Sequence, residues 1–166
     1  MSKKLIIYGA GDLGREIMYA AKENMSEIYE TEAFVEIDAE KIGGQLERTK
    51  IISRDDAIKE LKNDVYLFIG IADPIRRKKV AEELSSMSVS PKFATIIHRS
   101  VIVMPNTTIE DGVFIAPHAT IAVGCHLKCH AVINQNVSVG HDTVVGEYSV
   151  VSPGCVLSGR TKIGST

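Results

Sequence analysis

The chain lacks a dominant charge of either sign, any long apolar run, and enough cysteine for a disulfide framework. Nineteen Lys and Arg against 21 Asp and Glu leave a formal net charge of −2. That balance gives no electrostatic reason to expect nucleic acid or an anionic membrane as partner. No apolar run approaches the ~20 residues that span a bilayer, and the hydrophobic stretch in the opening MSKKLIIYGAG is too short for a signal peptide. Three cysteines fit a reducing compartment. The expectation is a cytoplasmic protein, and 166 residues leave room for one large domain or two small ones.

What the chain does have is a repeat. From Ile97 every sixth residue is aliphatic: Ile97, Val103, Ile109, Ile115, Ile121, Leu127, Ile133, Val139, Val145, Val151, Leu157 and Ile163. Four residues after each of the first eleven stands a small or β-branched residue, from Val101 and Thr107 through Cys125 to Cys155 and Thr161. That residue precedes the next aliphatic by two, so both point to one face of a short strand. The rest of each hexad collects Gly, Asn, Asp and Pro, the residues of turns. Short strands and turns at period six describe a β-helical solenoid. A β-sandwich of short strands is the competing reading, but sandwich strands do not hold so strict a period. The pattern resembles the left-handed parallel β-helix of hexapeptide acyltransferases, and the handedness is what that resemblance implies. The sixth-position aliphatics are expected to face inward.

The first half alternates strands and helices, which predicts a mainly parallel sheet. KLIIYGAG reads as a buried strand entering a glycine turn, followed by a helix with Leu13, Ile17 and Ala21 on one face. TEAFVEID reads as a second strand ending in acids, and VYLFIGIA as a further buried strand. Ser53 is a candidate cap for a short helix through DAIKEL. Asp73-Pro74 starts a longer one that turns Val80, Ala81, Leu84 and Met87 inward. KFATII returns as the last strand. The expected division is a small Rossmann-like domain over 1–96 and the β-helix over 97–166.

GAGDLG matches G-x-G-x-x-G at a strand-to-helix turn, where bare N–H groups and a helix amino end can hold a phosphate. Glu36 and Asp38 lie where an acid would meet a ribose hydroxyl. A domain of this size is about half of a dinucleotide fold, so a mononucleotide or nucleotide-sugar fits better; glycines that only make a tight turn are the competing reading. The candidate substrate-binding residues are Gly9, Gly11, Asp12, Leu13, Gly14, Glu36, Ile37 and Gly70.

A short Rossmann-like domain followed by hexads resembles the nucleotide-sugar and sialic acid acetyltransferases of bacterial surface-glycan pathways, including those of bacillosamine synthesis. The resemblance rests on GAGDLG with the following RE, FIGIADPIRRKKVAEEL, ATIIHRSVIV and INQNVSVGHDTVVGEYSVVSPGCVLSGRTKIG. It implies acetyl-CoA as co-substrate, a nucleotide-sugar (a UDP-sugar favoured) or sialic acid as acceptor, and a homotrimer whose active sites lie between neighbouring subunits. It makes His141 the general base and Asp142 the residue that orients its ring. Asn134 matches a site asparagine, and Gly159 would offer its N–H near the acetyl group. Imidazole suits the role because it can take a proton from an amine or hydroxyl near neutral pH. His141 also occupies the third position of its hexad, in a turn, where it can face outward without disturbing the core.

CHLKCH, residues 125 to 130, invites a metal or haem reading. Its cysteine spacing is one residue too long for haem attachment. The hexad register sets Cys125 inside, Cys129 in a turn and His126 on a strand face, so no tetrahedral site is expected. His98, His118 and His130 are expected at the surface or between subunits.

Four departures from the family bear on activity. Leu13 stands where relatives often have a histidine near the sugar, and Ile37 where a second acid is common. Val150, at the acetyl-donor position, replaces a histidine. The chain stops at KIGST inside its twelfth hexad, so a truncated chain is expected. The leading expectation is an acetyl-CoA-dependent N- or O-acetyltransferase acting on a nucleotide-linked or free sugar. The alternative is a catalytically weak or inactive homologue that binds a nucleotide-sugar and assembles. A nicotinamide oxidoreductase is disfavoured, because no catalytic domain remains for it.

Overall fold

The computed structural model describes residues 2–23, 29–61, 64–87 and 91–166. The chain divides into two compact units, Met1–Ala94 and Thr95–Thr166.

In the first unit, β1 (Lys3–Tyr8) runs parallel to β2 (Tyr29–Val35) on one side and β5 (Tyr66–Ile69) on the other. With β3 (Gln45–Leu46), β4 (Thr49–Ile52) and β6 (Lys92–Phe93), the sheet order is β3-β4-β2-β1-β5-β6. Among the described residues, only the β3–β4 hairpin is antiparallel. Leu5, Ile6, Ile7 and Phe68 are buried, as expected of central strands covered on both faces. Helix α1 (Asp12–Lys22) buries Ile17, Met18, Ala20 and Ala21, while Leu13 of its predicted apolar face stays half-buried. Helix α2 (Arg54–Glu60) starts as expected, with Ser53 Oγ accepting the Asp56 N–H at 3.2 Å. Asp73 Oδ1 likewise accepts the Arg76 N–H at 2.7 Å and caps α3 (Pro74–Ser85).

The buried face of α3 differs from the expected one. It is formed by Arg77, Ala81 and Leu84, with Val80 and Met87 half-buried. Arg77 is 1 % exposed. Its guanidinium tolerates burial because Nη1 donates to the carbonyls of Ile71 and Ala72, the latter at 3.1 Å.

The second unit consists of three parallel four-stranded sheets. The first holds β7 (Ile96–Ile97), β10 (Phe114–Ile115), β13 (Val132–Ile133) and β16 (Val150–Val151). The second holds β8 (Ile102–Val103), β11 (Thr120–Ile121), β14 (Ser138–Val139) and β17 (Val156–Leu157); the third holds β9 (Thr108–Ile109), β12 (His126–Leu127), β15 (Val144–Val145) and β18 (Lys162–Ile163). Ile115 pairs with Ile133, three hexads on, so each coil takes three hexads. The arrangement is that of a parallel β-helix, consistent with the left-handed form. Its first rung begins at Ile96, one residue before the boundary set by the period.

Ile115, Ile121, Leu127, Ile133, Val139 and Val145 are at most 1 % exposed and form the core with Ala119, Cys125 and Ala131. Ile97, Ile109, Leu157 and Ile163 are partly buried against it. Val103 departs from the inward expectation at 39 % exposed. The fourth position of every hexad from Asn106 to Arg160 adopts a left-handed backbone, with φ between 56° and 73°. This repeated turn, costly for a side-chain-bearing residue, fixes which neighbours face outward.

His130 overturns the surface expectation. It is 5 % exposed and stacks on Tyr148 with ring centroids 5.2 Å apart. Its ring rests on Gly112, where an added Cβ would come within 2.3 Å of Nδ1.

Candidate functional site

The glycine loop follows from three close approaches. Gly9 has φ +119°, and a Cβ there would meet the Gly70 carbonyl oxygen at 2.8 Å. A Cβ on Gly14 would lie 2.2 Å from the Gly9 oxygen, and one on Gly70 would lie 2.9 Å from an Ile7 methyl. These glycines let the start of α1 settle onto β1 and β5. Gly11 differs, since a Cβ there would meet nothing within 4 Å. It is the N-cap of α1 and supplies no side-chain cap, so the first-turn N–H groups face outward uncapped.

A cavity of about 640 Å³ opens over this loop, lined by Gly9, Gly11, Asp12, Leu13, Glu36, Ile37 and Gly70 among others. Gly14 is the exception among the expected residues: it is buried beneath the loop, and its role is packing. Glu36 Oε1 accepts the Ile37 N–H at 2.9 Å, and Ile37 itself is 65 % exposed. The sequence reading missed Tyr8, Arg54, Arg76, Lys79 and Glu83, which also line the cavity. Arg54 pairs with Glu83 at 3.1 Å. The i, i+3 spacing of Arg76 and Lys79 just after the Asp73 cap was the available signal. Burial pushes the Tyr8 phenol above its ordinary pKa.

In the second unit the turn after β14 carries Gly140, His141 and Asp142. A Cβ on Gly140 would lie 2.5 Å from Gly159 N, so the two turns stack in backbone contact. His141 is held by its carbonyl, which accepts the Arg160 N–H at 2.8 Å; the Asp142 N–H donates to Val123 O at 3.0 Å. His141 Nδ1 stands 2.9 Å from Asp142 Oδ2. With the proton on Nδ1, that nitrogen donates to the carboxylate and Nε2 presents a lone pair. The ring lies over Gly159, where a Cβ would come 2.5 Å from Nε2. Both side chains are about half exposed, at 49 % and 54 %, open to an incoming ligand. Among the described residues the Gly159 N–H meets no acceptor.

His141, Asp142 and Gly159 are thus brought together at one corner of the solenoid. Asn134 follows β13 at the preceding corner, where its amide donates to Val151 O at 2.8 Å. Val150, next to that carbonyl, is 37 % exposed on β16.

CHLKCH contains a contact that its spacing did not reveal. Glu110 bonds to the His126 ring, and its other oxygen accepts from Cys129 N at 2.9 Å and Cys129 Sγ at 3.0 Å. Burial, reinforced by Glu110, pushes the Cys129 thiol up to about 11. The Cys129 hydrogen bond is the main cause holding the Glu110 carboxyl below its usual range. Among the described residues no helix is long and apolar enough to cross a membrane.

An α/β unit with a glycine-lined cavity, followed by a hexapeptide solenoid carrying an outward His-Asp pair, defines the class. The family model of the PglD N-terminal domain matches residues 4–84, within the first unit. The whole chain is similar in fold to WeeI from Acinetobacter baumannii, with TM-score 0.80 and 20% identity over 98% of this chain and 76% of that one. It is similar also to a variant of perosamine N-acetyltransferase from Caulobacter crescentus, solved with CoA and GDP-perosamine (TM-score 0.64, 18% identity, 97% and 77% covered). A third likeness is the acetyltransferase domain of PglB from Neisseria gonorrhoeae (TM-score 0.65, 17% identity, 99% and 86% covered), a domain also solved with acetyl coenzyme A. At these identities the likeness shows the fold. With the domain match, it supports the resemblance to nucleotide-sugar acetyltransferases with hexapeptide repeats.

Proposed function

We propose that the protein is an acetyl-CoA-dependent acetyltransferase that modifies an amine or hydroxyl of a nucleotide-linked sugar. The observation that carries this reading is the His141 Nδ1–Asp142 Oδ2 contact of 2.9 Å with Nε2 set against Gly159. Nε2 takes the proton of the acceptor amine or hydroxyl as its nitrogen or oxygen attacks the thioester carbonyl. The Gly159 N–H meets the developing oxyanion. The tetrahedral intermediate then expels the CoA thiolate, which takes the proton from the imidazolium and leaves as the thiol. Asp142 keeps the imidazole in the productive tautomer and stabilises its charged form. Asn134 and Val150 border the acetyl-donor path, and a neighbouring subunit of a homotrimer closes the groove. The cavity at Gly9–Gly14 holds the nucleotide, with UDP favoured, and a cytoplasmic location suits these substrates.

The second reading, a weakly active homologue that binds a nucleotide-sugar and assembles, is favoured by Leu13 in the cavity and by exposed Val150. One experiment separates the two. Release of CoA thiol is followed with UDP-, GDP- and CMP-linked amino sugars, beside thermal-shift binding of the same compounds. The enzyme reading expects turnover that falls at least ~10²-fold in His141→Ala, with nucleotide binding retained and a smaller loss in Asp142→Asn. Binding without turnover would favour the second reading, and equal turnover with Ala at 141 would refute the proposed base.

A further inference from the structure

A column of polar groups climbs the corner of the solenoid that carries His141. Each stands at the fifth position of its hexad and donates to a carbonyl fifteen residues on: Thr107 Oγ1 to Ala122 O at 3.1 Å, Cys125 Sγ to Gly140 O at 3.2 Å, and Thr143 Oγ1 to Ser158 O at 3.1 Å. Each of those carbonyls shares a peptide unit with the N–H of the next residue, Val123, His141 or Gly159. The described peptide bonds are all trans, and in a planar trans unit C=O and N–H point opposite ways. A carbonyl held toward the column therefore turns the following N–H outward, and among the described residues none of these three N–H groups meets an acceptor. Ser158 differs from the other two. Its carbonyl also accepts from Thr161 Oγ1 at 2.7 Å, so two hydroxyls fill its two lone pairs, whereas Gly140 receives one weakly donating thiol. Thr143 is fully buried. The Gly159 N–H is also left bare: Gly159 has no side chain, and a Cβ on Gly140 would stand 2.5 Å from its nitrogen.

Resting on the acetyltransferase reading above, in which the Gly159 N–H meets the oxyanion, we infer that Thr143 and Thr161 are positioning residues for that donor. Their hydroxyls hold the 158–159 peptide by its carbonyl and so fix the direction of the N–H at its other end. They also strengthen it, because a hydrogen bond accepted at the carbonyl polarises the peptide and makes its N–H a better donor. That gain is largest when the acceptor carries a full charge, as the tetrahedral intermediate does and the thioester does not, so it acts on turnover more than on binding. Neither hydroxyl touches acetyl-CoA or sugar. The same bond at Ala122 shows that the column is first a device of the fold. Ser158 is set apart by its double acceptance and by a neighbour, Gly159, that lies against His141 Nε2.

Two substitutions at residue 143 separate positioning from packing. Thr143→Val keeps the branched shape and removes the donor; Thr143→Ser keeps the donor and removes a methyl. Release of CoA thiol is measured for both, for Thr161→Val and for the double valine variant, with UDP-, GDP- and CMP-linked amino sugars. In the double variant kcat should fall on the order of tenfold, short of the ~10²–10³ lost with an oxyanion donor outright. KM for acetyl-CoA and for the sugar should stay near wild type. Each single valine variant should show part of that fall, and Thr143→Ser should keep wild-type kcat. The Gly159 amide resonance in NMR should move in the valine variants and not in Thr143→Ser, a signature readable without substrate. Wild-type kcat in all the valine variants, or a fall in kcat with the Gly159 amide unmoved, would overturn the assignment and leave the acetyltransferase reading standing. A larger loss in Thr143→Ser than in Thr143→Val would overturn it in favour of packing. Absence of turnover by the wild-type chain with every sugar would overturn the acetyltransferase reading and the assignment with it.

Discussion

Gly159→Ala isolates the position of one nitrogen. The added methyl would come 2.5 Å from His141 Nε2, 2.7 Å from Cδ2 and 2.8 Å from Cε1. Ordinary heavy-atom contact lies at about 3.5 Å, so the ring must retreat by about 1 Å. Gly159 has no positive φ, so alanine suits the backbone. The half-exposed imidazole has room to swing, so the fold should not suffer. The retreat takes Nε2 off the acceptor's proton, and a displacement of that size can cost about 10²-fold in rate. We expect kcat to fall by about that factor while KM for the nucleotide-sugar and the urea midpoint stay near wild type. The double variant with His141→Ala should lose little more than His141→Ala alone, because the alanine acts only through the ring. Imidazole nitrogen shifts in NMR supply a readout independent of substrate, reporting whether Nδ1 still donates to Asp142. A kcat within twofold of wild type, with a ring shown to have moved, would refute the claim that Nε2 is the base.

Gly14→Ala should act on stability instead. Its Cβ would lie 2.2 Å from the Gly9 carbonyl oxygen, a backbone atom with nowhere to go, so a loss near the upper end of the ~1–3 kcal/mol seen for overpacking is expected in urea unfolding. A wild-type midpoint would show that α1 is not seated as described. Cys129 should react slowly with a disulfide reagent at pH 8 and faster toward pH 11, because burial and Glu110 keep its thiol protonated up to about 11; Glu110→Ala should speed labelling. The signs of the two linked stabilities are opposite. The raised Cys129 pKa contributes stability that is present below pH 9.0 and lost as pH approaches 11. The depressed Glu110 pKa contributes stability that is present above pH 4.5 and lost on acidification.

The solenoid was legible because each hexad repeats one instruction. An aliphatic at every sixth position and a small residue four later specify strand, turn and inward face in turn after turn. The helix starts at Ser53 and Asp73 were equally local, one side chain accepting one N–H. Arg77 could not be read this way. Its place in the core depends on the carbonyls of Ile71 and Ala72 turning toward it, and no periodicity encodes that turn. The cavity was legible where its lining is the glycine loop or lies just past the ends of β2 and β5, at Glu36, Ile37 and Gly70. Arg54 and Arg76 stand on different helices and meet the loop only through the order of the sheet.

The corner residues show a middle case, in which the information was present at a spacing longer than the hexad. A coil of three hexads sets each turn residue against the one 18 positions on, as Ile115 stands against Ile133. Applied to the fourth positions, that register stacks Gly112, His130 and Tyr148, which is why His130 is covered on both sides instead of lying at the surface. Applied to the third positions, it sets His141 against Gly159, and a residue without a side chain is what leaves the imidazole its place. The two histidines differ by what the neighbouring coil offers. His130 has a large ring above it and is sealed in. His141 has glycine beside it and keeps Nε2 in reach of solvent, the condition a proton acceptor in catalysis must meet.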